Sequence, residues 1–301
     1  MYNYFISLNP TMQAAIVSAI VALVTTILGT LFSISLKSFF DNRSLSYKLK
    51  KEYSYEQKKK LRELIGSYQG RVLEAATELH YRLLNLYENE EKGWLANESY
   101  YHKSTMYRFL RVLTIVRMFE NEAIYIDAQI GNRKDIEFLM FLKALHWICT
   151  DVRLFDGVPY NSKYDHFYSD HLRSMCDRFV DDGKVITLED FEARLKDFSS
   201  LSEFFNGMNR LEDRLRWDRI VVLHLILIAF INTIGYDFQK CGSGKVLEVI
   251  QNVRHFGILE NIPEVIKTLV KQKETKNVIR LTVKFLKKNS IPLNSKTPLS
   301  L

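Results

Sequence analysis

"MQAAIVSAIVALVTTILGTLFSISL", Met12 to Leu36, runs 25 residues without a charged side chain, in a chain of 301 residues of which 26% are charged. How this stretch is read decides the fold class. A bilayer's hydrocarbon core is about 30 Å thick and takes roughly 20 apolar residues as a helix. Ala14 to Leu36 supplies that length, interrupted only by Gly29 and several Ser and Thr. Ser33-Ile34-Ser35 has the small-x-small form of a signal cleavage site. A signal, however, needs a basic leading segment and an apolar run of only about 7–15 residues. Residues 1–36 carry no charge at all, and the apolar run is too long. The expectation is a transmembrane helix over 13–36, behind a short extracytoplasmic N-terminus, 1–12.

Flanking charge sets the direction. Lys37 to Arg62 holds nine basic residues against Asp41, Glu52 and Glu56, a net of +6. Positive flanks stay in the cytoplasm. The bulk of the chain is therefore expected inside, at the inner membrane of a bacterial cell. The same segment, 37–62, reads as a basic, tyrosine-rich juxtamembrane helix able to meet anionic lipid. Small residues recur at four-residue spacing along the anchor: Ala15 and Ala19, then Ser18, Ala22, Thr26 and Thr30, then Gly29 and Ser33. Such rows let helix backbones approach closely in lipid, which points to a homo-oligomer.

Beyond the anchor, proline is scarce, and none falls between Thr11 and Val158. Proline breaks helix interiors, so its absence permits long helices. Leu61, Ile65, Tyr68, Val72, Ala75, Leu79, Leu83 and Leu86 alternate steps of four and three, which predicts one long helix over 44–87. The whole reads as all-α: a helical cytosolic core over 63–240, basic C-terminal helices over 241–290 and a disordered tail over 291–301. Predicted caps are Ser104 or Thr105, Asp135, Thr187 and Asn261, the last with Pro263 just inside its helix. A helix is also predicted from Asp165 to Val180, and "DDGKVI" (Asp181 to Ile186) reads as a turn. Cys149, Cys176 and Cys241 have no regular spacing, as expected of reduced thiols rather than a disulfide framework.

"RIVVLHLILIAFINTIGY", Arg219 to Tyr236, is a second apolar run. It is short for a span, and crossing would put the +7 of residues 237–301 outside, against the charge rule. It is expected to be the central core helix. Arg219 and His224 have four residues between them. This spacing resembles the R-x(4–6)-H signature of the HEPN superfamily, helical domains that often cleave RNA. The resemblance covers six residues, and Ile220 departs from the polar residue usual after the arginine. It implies phosphate stabilisation by Arg219 and acid-base work by His224, hence a ribonuclease of defence type.

Other constellations are weaker. His166, Asp170 and His171 cluster in a predicted helix, where His166 and Asp170 at i, i+4 would share a face suited to a metal. "CGSGKV" (Cys241 to Val246) lacks both the leading glycine and the Ser/Thr of a phosphate loop. Lys276, Arg280, Lys284 and Lys287 form a basic stripe that suits anionic lipid, an acidic protein or RNA, although the period from Ile279 to Phe285 also allows a strand. No cofactor is implied. The leading expectation is a membrane-anchored sensor, scaffold or effector acting by protein interaction rather than an enzyme. The alternatives are the HEPN-like ribonuclease and an oligomeric pore or membrane-perturbing protein.

Overall fold

A computed structural model describes residues 9–127, 130–159, 161, 163–266 and 272–288. It divides into two compact units, Met1–Lys59 and Lys60–Leu301. The first helix, α1 (Pro10–Glu88), contributes to both. In the first unit its apolar side chains are uncovered: Leu23 is 63% exposed and Phe32 67%. The hydroxyls of Ser18, Thr25, Thr26, Thr30 and Ser33 each donate to a carbonyl four residues back, at 2.7–2.9 Å. These polar atoms are thereby satisfied within the helix.

The second unit is helical apart from one hairpin among the described residues. After α1 come α2 (Tyr100–Ala123), α3 (Arg133–Thr150) and α4 (Ser169–Arg178). The hairpin β1 (Val180–Asp181) and β2 (Lys184–Val185) pairs antiparallel, Val180 opposite Val185. Asp182 (φ +46°) and Gly183 (φ +68°) make its turn, the left-handed pair that matches strand twist. Then follow α5 (Leu188–Ala193), α6 (Ser199–Phe205), α7 (Arg216–Ile234), α8 (Ser243–Gln251), α9 (Gly257–Val265) and α10 (Lys273–Lys288).

α7 is the axis of the core. Every residue from Arg216 to Ile231 is buried. From Ile220 to Ile231 only His224 is polar, and a helix apolar and buried on all faces is what a central position requires. Phe138 and Phe141 of α3 lie 6.2 and 5.7 Å, ring to ring, from Phe230 of α7. α8 and α10 pack on α7 as well. α10 is a helix, not a strand: it buries Val278, Ile279, Leu281 and Leu286. Gly235 ends α7. A Cβ there would sit 2.5 Å from the Ile231 carbonyl oxygen, so only glycine closes this helix without displacing backbone.

Several local expectations are corrected. α2 begins at Tyr100 with Ser99 as its cap, the hydroxyl accepting from the His102 N–H at 3.0 Å. Ser104 and Thr105 are buried inside that helix. Asn132, not Asp135, caps α3; Asp135 answers from the third position, completing a capping box. Thr187 does cap α5, but that helix stops at Ala193 and a short 3-10 segment, Leu195–Phe198, precedes α6. Asn261 lies within α9, where its amide donates to the Leu154 and Asp156 carbonyls at 3.0 and 2.9 Å, and Pro263 is inside the helix. The tail over 291–301 and residues 1–8 lie outside the described residues.

Candidate functional site

The first turn of α7 carries two arginines, Arg216 and Arg219, both buried. The last carbonyls of a helix have no intrahelical donor and hold partial negative charge. Arg216 meets those of α6: Nη1 donates to the Phe204 oxygen at 2.5 Å and the Glu203 oxygen at 3.0 Å, and Nη2 to the Asn206 oxygen at 3.0 Å. Its Nε and Nη2 also fork onto Glu212 at 2.7 and 2.5 Å. Arg219 does the same for α3. Nη1 donates to the Ile148 oxygen and, at 3.3 Å, to that of Asp151, and Nε donates to the Asp165 oxygen at 2.9 Å. Its guanidinium also covers the Phe155 ring at 4.3 Å.

His224, one and a half turns further on, faces elsewhere. Its Nε2 is 2.7 Å from Nδ1 of His80 on α1, and its Nδ1 is 3.2 Å from the Tyr87 hydroxyl. Burial holds its pKa well below the usual value, with His80 and Lys245 adding to the effect. The Arg219 guanidinium and the His224 ring are thus committed to different neighbours inside the unit, and each is at most 1% exposed. A phosphate would have to displace helix-capping carbonyls to reach Arg219. The arrangement gives both residues structural partners inside the unit.

The metal candidates also separate. α4 starts at Ser169, so His166 precedes the helix and shares no helical face with Asp170. His166 is buried with its ring 4.9 Å from that of Tyr168. Asp170 is exposed beside Arg173 at 3.7 Å, and His171 lies 3.3 Å from the Ser200 hydroxyl. Among the described residues no three His, Cys, Asp or Glu side chains converge on a metal position. Lys276, Arg280, Lys284 and Lys287 are all exposed along α10. Among the described residues none of the four forms an ion pair, Glu274 being taken by Lys273 at 3.7 Å.

One constellation escaped sequence reasoning. Beyond His224, the other edge of His80 meets a thiol: Nε2 is 3.4 Å from Sγ of Cys241. Asn232 clamps the Cys241 backbone, accepting from its N–H at 2.7 Å and donating to its carbonyl at 2.9 Å. Cys241, His80, His224 and Tyr87 therefore form one continuous chain of polar contacts across α1, α7 and the segment before α8. Burial, helped by Lys245, brings the His80 pKa down to about 4, so both imidazoles are neutral at neutral pH. A spacing of i, i+7 on α1 puts His80 and Tyr87 on one face, but nothing local in the sequence announces Cys241 as their neighbour. Comparison with family models, with curated proteins and with solved structures finds no match.

Proposed function

We propose that this chain is a single-pass membrane protein, anchored by the N-terminal part of α1, whose helical second unit works in the cytoplasm through protein interaction. The reading has it N-terminus outward at a bacterial inner membrane. One observation carries it. Two helices are long and apolar enough to cross a bilayer, α1 and α7. The apolar window of α7 is 83% buried by its own unit, whereas that of α1 has no cover at all. An uncovered apolar face of this size needs another solvent. The silence of charge before it and the +6 after it support the inward direction of the bulk.

The row of Ala15, Ser18, Ala19, Ala22, Thr26, Gly29, Thr30 and Ser33 supports self-association. Its hydroxyl protons are spent on the helix's own carbonyls, so the row offers close backbone packing rather than donors. The α10 stripe suits an anionic lipid surface as partner. The test is membrane fractionation of the full chain followed by alkaline carbonate washing. Wild type stays in the pellet, and a Val24→Arg, Leu28→Arg double variant moves to the supernatant, because each arginine at a span's centre costs about 2.5–3.5 kcal/mol. Wild type found in the supernatant overturns the anchor, and a monomer in mild detergent overturns the assembly.

A further inference from the structure

The Cys241–His80–His224–Tyr87 chain has a direction. A neutral imidazole carries one donor and one acceptor, and both rings here are neutral. The four groups must therefore donate head to tail, in one of two senses. Either Tyr87 donates to His224, His224 to His80 and His80 to sulfur, or every bond runs the other way and begins at the thiol. A phenol O–H is a good donor and a thiol S–H a weak one. The terminal hydroxyl of Tyr87 thus selects the first sense. That fixes both histidines as the Nε2–H tautomer and aims the His80 N–H at Sγ of Cys241 across 3.4 Å. The Asn232 clamp on the Cys241 backbone keeps the sulfur in that position.

We propose that Cys241 is a nucleophilic thiol, open to modification by small soft electrophiles, whose thiolate is held by the His80 N–H in a tautomer that Tyr87 sets through His224. The arrangement is the nucleophile, neighbouring ring and orienting group of covalent chemistry, with the ring acting as a donor to sulfur rather than as a base. Protonating His80 is disfavoured by burial; donating from a neutral ring needs no buried charge. The other two thiols lack this setting. Cys149 and Cys176 are 1% and 3% exposed, and burial pushes each up to about 12. Cys241 is only half-buried. Burial raises its thiol too, and Lys245 opposes that rise. Tyr87 is a positioning residue in this scheme.

The probe is iodoacetamide, applied to the folded full-length protein in detergent, with labelled peptides quantified by mass spectrometry. The Cys241 thiolate attacks the methylene carbon, a C–S bond forms, iodide leaves and the thiol proton goes to solvent. Cys241 is expected to label at least tenfold faster than Cys149 and Cys176, which serve as internal controls. Tyr87→Phe removes one oxygen and keeps the ring on Trp217 (5.4 Å). It frees the chain to reverse, so the rate–pH profile of Cys241 should move to higher pH by half a unit or more, with circular dichroism unchanged. Equal labelling of the three cysteines overturns the nucleophile. An unmoved profile in folded Tyr87→Phe overturns the tautomer relay. If that variant does not fold, His224→Gln gives the same reading, an unmoved profile again overturning the relay.

Discussion

Replacing Arg219 with methionine keeps a long side chain in its slot and removes five N–H donors. The carbonyls of Ile148, Asp151 and Asp165 then lose their charged partner in a site that is 1% exposed. A hydrogen bond to a charged group is worth about 1.5–3 kcal/mol, so three such losses cost roughly 5–9 kcal/mol. Removing a buried charge returns several kcal/mol of desolvation. The net is about 3–5 kcal/mol, a large part of the ~5–15 kcal/mol that holds a typical domain together. Urea titration of the detergent-purified full chain, followed by far-UV circular dichroism, measures it. Arg280→Met on exposed α10 is the control and should change stability by under about 0.5 kcal/mol. If Arg219→Met costs less than about 1 kcal/mol, the capping argument fails. A nuclease residue would behave oppositely: activity would be lost with stability intact.

The same titration reads three more outcomes. Ser99→Ala should cost about 1 kcal/mol by removing the α2 cap; a value near zero would deny that helix its cap. Gly235→Ala should cost about 1–3 kcal/mol, since its new Cβ meets the Ile231 carbonyl oxygen, and a stabilised variant would contradict the close approach. The third outcome is acid sensitivity. The His80 pKa lies near 4 in the folded chain and near 6.5 unfolded. The unfolded state therefore binds more protons between those values. The stability due to neutral His80 is full above about pH 6.5 and is lost as pH falls towards 4, by roughly 3 kcal/mol. His224 shifts in the same direction. A urea midpoint unchanged between about pH 7 and 5 would refute the burial of neutral rings.

What the sequence disclosed depended on whether the signal was local. α7 was legible because its apolar run is continuous and its alternative, crossing the membrane, conflicted with the +7 charge of residues 237–301. The α1 face from Leu61 to Leu86 was legible from its period. The α2 cap was misread because "NESYYHKST" offers several hydroxyls, and only packing shows that Ser104 and Thr105 face inward. Pro263 after Asn261 imitated a helix start, whereas Asn261 serves carbonyls more than a hundred residues away. Arg219 and His224 share a helix because the core needs one there; their partners are backbone oxygens and a histidine 144 residues distant, and neither leaves a mark in spacing. A separation of 161 residues likewise hid Cys241 from His80.

The burial of α7 bears on how the chain is made. Leu61 to Leu86 of α1 leave the ribosome about 150 residues before the end of the helix they help to enclose. At roughly 5–20 residues per second, the nascent chain waits some 7–30 s with that apolar stripe unshielded. α3, complete at Thr150, waits 69 residues for Arg219, whereas α6, complete at Phe205, waits only 11 for Arg216. A nascent chain halted before Arg216 should thus recruit holding chaperones more strongly than one halted after Ile234. The helix that closes the others emerges after most of them, so the apolar stripe of α1 stays unshielded for about half of the chain's synthesis.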